Sequence, residues 1–185
     1  MKKLNTKSLI LCSLFSALIA AGAFIKIPIP FVPFTMQFMF TNLAGLLLGK
    51  RLGIISVLVY IFIGLMGMPV FTMGGGLGYL LQPTFGYIIG MAIGTWITGR
   101  LTEGKDSMKT LVAAGFLNII IVYSVGMLYF YIIRKVYMQN PISLANLLIY
   151  CGLVFITGDS LSAVLGAYIT RRLRPYLYMQ TGLQQ

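Results

Sequence analysis

The chain has 185 residues, of which 58% are hydrophobic and 9% charged, and its mean hydropathy is +0.91. It cannot cover itself with the polar surface that a soluble domain presents. It reads as a single integral membrane domain over residues 1–185, with room for about six helices of the roughly 20 residues that a ~30 Å hydrocarbon core requires. The net charge of +11 is the mark of topology and of attraction to anionic lipid, rather than of nucleic-acid binding.

Charges and Pro/Gly punctuation place membrane spans near 8–27, 35–49, 53–68, 83–99, 110–133 and 143–170. Continuous apolar runs, rather than period-two alternation, favour helices over a β-barrel. The first span could pass for a signal peptide, but Ala21-Gly22-Ala23 continues into Phe24-Ile25, and the later spans anchor the chain in any case. The second and third are short for a full crossing. The sixth is too long for one straight helix, which predicts a break near Gly158-Asp159. Lys2, Lys3, Lys7, Lys50, Arg51, Arg100, Lys105, Lys109, Arg171, Arg172 and Arg174 fall on one side of this map, and Lys26, Arg134 and Lys135 on the other. The excess of basic residues puts both termini in the cytoplasm. Arg134 and Lys135 fit best as interfacial anchors of span five, with attraction of an anionic ligand as the alternative.

Small residues recur every fourth position. Ser13, Ala17 and Ala21 form one stripe in span one, Gly45, Gly49 and Gly53 a second, and Gly86, Gly90 and Gly94 a third. Such stripes let helices approach closely. Those facing inward serve packing within the bundle, and one facing outward would dock another membrane subunit.

Two connections on the less basic side are too elaborate for tethers. The first, Pro28-Ile29-Pro30-Phe31-Val32-Pro33-Phe34-Thr35-Met36-Gln37, carries three prolines that stiffen it and two phenylalanines with surface to bury. The second runs from Gly67-Met68-Pro69-Val70-Phe71-Thr72-Met73 through Gly74-Gly75-Gly76-Leu77-Gly78 to Gln82-Pro83-Thr84. Its glycines, Gly75 and Gly76 among them, allow backbone to approach a ligand. The alternative is that these aromatics belong to an interfacial belt.

The inventory excludes most chemistry. There is no histidine, and Cys12 and Cys151 stand alone in separate apolar spans, so neither a metal centre nor a His-assisted nucleophile can be assembled. The glycine run lacks the Gly-Lys-Ser/Thr of a P-loop and the third glycine of a dinucleotide fingerprint. No catalytic residue and no cofactor is expected. Any uphill transport draws its energy from partner subunits or from an ion gradient.

Asp159 is the exception in an apolar stretch. The other acids, Glu103 and Asp106, fall in a polar connection, and a carboxylate at membrane depth requires partners or a function. It could anchor a ligand, cap a helix over 160–170, or carry protons in a stand-alone transporter. A further possibility is an assembly protein without a ligand, in which the small-residue stripes are the working surface.

Taken in order, Pro33-Phe34-Thr35-Met36-Gln37, Leu43-Ala44-Gly45, Leu48-Gly49, Gly53, Tyr60, Gly64-Leu65-Met66-Gly67-Met68-Pro69-Val70-Phe71, Pro83-Thr84-Phe85-Gly86-Tyr87 and Gly158-Asp159 resemble the BioY family. These are the biotin-specific substrate-binding subunits of energy-coupling factor (ECF) transporters. The resemblance implies a six-helix protein that captures its vitamin from outside, beneath lids made by the first and third connections. It also implies partners: a transmembrane coupling protein and two cytoplasmic ATPases. The family's coupling contact maps onto Ala17 and Ala21, extended by Ser13. The resemblance and the residue chemistry together nominate Asp159 as the main polar anchor, with Ser162, Thr35, Gln37, Gln82 and Thr84 as further polar groups. Phe34, Phe71, Tyr87 and Tyr123 would be the aromatic walls. Two departures bear on specificity: Ser162 stands where the family has lysine, and Gln82 where it generally has glycine. They leave room for dethiobiotin or lipoate as the ligand.

Overall fold

A computed structural model describes residues 6–181, with side chains as far as Leu177. Lys2 and Lys3, assigned above to the basic side, lie outside the described residues. Helix α1 (Thr6–Phe24) leads into a two-stranded antiparallel ribbon, β1 (Lys26–Ile27) and β2 (Phe34–Thr35), in which Lys26 pairs with Thr35 and Ile27 with Phe34. The first span therefore ends earlier than expected, since the residues after Phe24 leave the helix to build the ribbon.

Helix α2 (Gln37–Leu65) is not one rod. Gly49, at φ 75°, has a left-handed backbone that glycine adopts without a Cβ clash. Beyond it the chain doubles back. Gln37 and Tyr60, which ~34 Å of straight helix would separate, are joined by a 2.6 Å hydrogen bond. A Cβ on Gly53 would sit 2.9 Å from the Ala44 carbonyl oxygen. The two arms, 37–48 and 50–65, thus pack antiparallel. The second runs parallel to α1, because the Cys12 thiol and the Ser16 hydroxyl donate to the carbonyls of Leu52 and Ser56, four residues apart in each helix.

A 3₁₀ turn (Leu77–Leu81) precedes α3 (Phe85–Leu101), and α4 (Met108–Ile132) ends in a π-helical turn (Ile133–Tyr137). The glycine stripe of α3 is its seam with α4: a Cβ at Gly90 would lie 2.8 Å from the Val122 Cα, and one at Gly86 2.3 Å from the Tyr129 Cβ. On the first arm of α2, Gly45 meets Thr95 in the same way. These two stripes are internal packing. The stripe on α1 is not, since Ser13, Ala17 and Ala21 are all exposed while Cys12, Phe15, Ser16 and Ile19 face the bundle.

The last segment comprises α5 (Leu144–Leu148), a π-helical turn (Ile149–Leu153) and α6 (Val154–Thr181). The irregularity expected at Gly158-Asp159 lies instead at the π turn. Asp159 is six residues into α6, which continues directly from α5 and the π turn, so it stands at no helix N-terminus and caps none.

Among the described residues, four segments are long and apolar enough to cross a membrane: Thr6–Phe24, Gln37–Leu65, Met108–Tyr137 and Leu144–Leu177. The two ends of the molecule differ in charge. At the Gly49 end, Lys50 pairs with Glu103 at 2.6 Å, and Arg174, 1% exposed, bonds Asp106 and the carbonyls of Lys105, Leu46 and Thr102. Opposite lie the ribbon and the 3₁₀ turn, with Lys26 bonded to the Thr72 carbonyl and Arg134 over the ring of Phe31.

Candidate functional site

A cavity opens beneath the ribbon, among the first arm of α2 and helices α3, α4 and α6. Its lining comprises Val32, Pro33, Phe34, Thr35, Gln37, Phe38, Thr72, Tyr79, Thr84, Tyr87, Ile88, Met91, Val122, Tyr123, Phe155 and Asp159. The centre of a water molecule has about 50 Å³ in which to move, room for a few waters and well short of a drug-sized ligand.

Asp159 is buried, and its Oδ2 accepts a 2.7 Å hydrogen bond from the Tyr123 hydroxyl. No described protein group donates to Oδ1. The arrangement presents a fixed carboxylate oxygen to whatever fills the cavity, and it suits a ligand carrying N–H donors. Beside it Phe34 stacks on Phe155, with centroids 6.2 Å apart. The ring rests on Gly158, where a Cβ would come within 2.6 Å of Phe34 Cζ. The Phe34 ring of the ribbon and the Asp159 carboxylate are therefore close neighbours.

The remaining polar groups of the lining are tied to the protein. Tyr87 donates to the Cys151 carbonyl at 2.6 Å, within the π turn that precedes α6. Gln37 Nε2 donates to the Tyr60 hydroxyl, which in turn donates to the Val70 carbonyl, and Thr35 Oγ1 donates to Gln37 Oε1 at 3.3 Å. Thr72, Tyr79 and Thr84 form a hydroxyl chain with links of 2.8 and 3.3 Å. These bonds hold both outer connections against the bundle.

The sequence-nominated residues divide. Asp159, Phe34, Thr35, Gln37, Thr84, Tyr87 and Tyr123 line the cavity together. Phe71 does not: it is 1% exposed, packed among Tyr60, Tyr79 and Phe85 in a notch that Gly64 leaves open, so it pins the third connection instead of walling the ligand. Gly75 and Gly76 also serve the loop, the first against the Met68 carbonyl and the second by donating its N–H to the Gly64 carbonyl at 2.7 Å. Gln82 ends the 3₁₀ turn and is outside the lining. Ser162 is buried a turn beyond Asp159, and its short side chain does not reach the cavity.

Thr72, Tyr79 and Phe155 were not singled out from sequence. Phe155 was within reach, since it stands four residues before Asp159 on the same helical face. Thr72 and Tyr79 enter only because the third connection folds inward, and no periodicity encodes that.

Comparison with known proteins bears on this geometry. The family model described as the BioY family matches residues 1–178. A "Probable biotin transporter BioY" of Lysinibacillus sphaericus is 43% identical over 175 residues, covering 94% of this chain and 89% of that protein. The "Biotin transporter BioY" of Thermotoga maritima is 37% identical over 174 residues, covering 91% and 96%. A crystal structure of the S-component for biotin from an ECF-type ABC transporter superposes with a TM-score of 0.69 at 31% identity, covering 94% of this chain and 95% of the other. With the match running through every element that builds the cavity, the chain belongs to the BioY family, a family of multi-pass membrane transporters and not of enzymes.

Proposed function

We propose that this chain is the substrate-specific membrane subunit that captures biotin from outside the cell and delivers it across the membrane. The single observation that carries the proposal is the Asp159–Tyr123 pair at the wall of an otherwise largely apolar, lidded cavity. Biotin's ureido ring has N–H groups to offer the free carboxylate oxygen, and its apolar bicycle suits the aromatic and aliphatic lining. Dethiobiotin keeps the ureido group and is the nearest competitor. Lipoate has no N–H donor and would leave a buried carboxylate oxygen without a partner, a costly arrangement.

The same reading covers the whole of residues 1–185 as one domain with six crossings: α1, each arm of α2, α3, α4 and α6. Both termini are then cytoplasmic, on the side of Lys50, Lys105 and Arg174, and the ribbon and third connection are outer lids. The present cavity is the closed form, and entry of the vitamin requires Phe34 and its neighbours to lift. The exposed Ser13, Ala17 and Ala21 form a smooth strip on α1, suited to close packing with a transmembrane coupling protein that two cytoplasmic ATPases drive. The remaining apolar exterior meets lipid.

Mass spectrometry of the small molecule that co-purifies from cells supplied with biotin tests the proposal. Biotin bound in about equimolar amount is the expected outcome. Enrichment of lipoate, or no retained vitamin, contradicts it.

A further inference from the structure

Biotin carries a carboxylate at the end opposite its ureido ring, yet among the described residues that line the cavity none is a lysine or an arginine, and Asp159 is itself acidic. Any cationic side chain that meets the ligand's charge therefore stands outside that lining, at the rim. Three cations stand at that end of the molecule. Arg134 is stacked on Phe31, 5.6 Å from the ring centroid, and Lys135 lies over Tyr131 at 5.5 Å. Lys26 is placed differently. Its β1 position pairs directly with Thr35, a lining residue, and cross-strand partners share a face of the ribbon.

The Lys26 ammonium is held 2.8 Å from the backbone carbonyl of Thr72, which is also a lining residue. It therefore bridges the two lids at the mouth of the cavity. Its acceptor is neutral, and none of the three acidic side chains is its partner: Asp159 is bonded to Tyr123, Glu103 to Lys50 and Asp106 to Arg174. A fixed cation over a neutral carbonyl is a ready seat for an anion.

We infer that Lys26 receives the carboxylate of the bound vitamin, so that the ligand lies with its ureido end at Asp159 and its acid end between the two lids. The inference rests on the biotin reading of the same cavity. It also gives the lids a reason to close: the ammonium holds the Thr72 carbonyl on one side and the ligand on the other, so an acid end completes a bridge that a neutral end leaves open. Selection for an acid is then made at the rim, after the ureido group has been selected in the interior. Because Lys26 is exposed, the effect is modest and falls with salt.

The test compares biotin with its neutral carboxamide, biotinamide, by calorimetric titration of the full-length protein and of Lys26→Gln. Glutamine keeps an N–H donor for the Thr72 carbonyl and removes the charge. The wild-type protein is expected to bind biotin about fivefold more tightly than biotinamide at low salt. Lys26→Gln should lose most of that preference by weakening biotin alone, and Lys26→Arg should keep it. Equal weakening of both ligands makes Lys26 a lid latch only and overturns the inference. So does a preference that survives Lys26→Gln, or one that disappears in Arg134→Gln instead. If the wild-type protein binds neither compound, the biotin reading fails and this inference with it; if it binds both equally, the inference alone fails.

Discussion

Gly158 and Asp159, neighbours in α6, do separate work. Asp159 lies inside a continuous helical segment, so its carboxylate caps no helix end and instead accepts from Tyr123. Its importance was legible because an acid in an apolar stretch is conspicuous; the fate of Ser162 was not, because a one-turn spacing does not say how far a side chain reaches. The length of the sixth span predicts a break near Gly158-Asp159, yet Gly158 continues the helix and leaves a flat seat for Phe34. A methyl group there collides with the ring, which has to lift from Phe155. Gly158→Ala is therefore expected to speed biotin dissociation several-fold, with little change in helix content by circular dichroism. An unchanged off-rate in stopped-flow measurements would show that the ring's seat does not govern closure.

Among the elements, the hairpin within α2 depends on one backbone conformation. Gly49 is left-handed where the chain reverses, and a side chain there costs about 1–2 kcal/mol. Gly49→Ala should lower the thermal unfolding temperature in detergent by a few degrees. The comparison Gly78→Ala, whose added methyl meets open space, should change it far less. The two inward stripes of glycines were readable as helix contacts, because close approach requires small residues at this period. Which stripe faces outward is not carried by the four-residue spacing, which all three share; the family resemblance nominates the one on α1, and it is exposed. The π turn at 149–153 has the same character: its use, offering the Cys151 carbonyl to Tyr87, depends on a partner 64 positions away in sequence.

At the scale of the whole molecule, one buried guanidinium gathers three elements at the basic end. Arg174 of α6 bonds the end of the first α2 arm through Leu46 and the α3–α4 connection through Thr102, Lys105 and Asp106. Its ion-pair partner is largely solvent-exposed, so the carbonyls left without a donor dominate the cost of removing it. Arg174→Leu should destabilise the protein by about 1–3 kcal/mol, read as a fall in Tm. At the exposed strip on α1, Ala17→Leu and Ala21→Leu add bulk where the proposed docking requires close packing. The expected result is loss of co-purification with the coupling protein while biotin binding by the isolated chain persists. Retained co-purification would move the docking surface elsewhere. Both sites were visible as residue types, and burial adds what the sequence does not carry: Arg174, counted toward topology, is interior, and the α1 stripe that the resemblance nominates for docking is exposed.

The most direct measurement is calorimetric titration of biotin into the purified chain and into Asp159→Ala. Saturable one-to-one binding, weakened in the variant by at least ~1 kcal/mol through loss of a buried polar contact, is the predicted result. Equal affinity in the two proteins would remove Asp159 from the site and contradict the account.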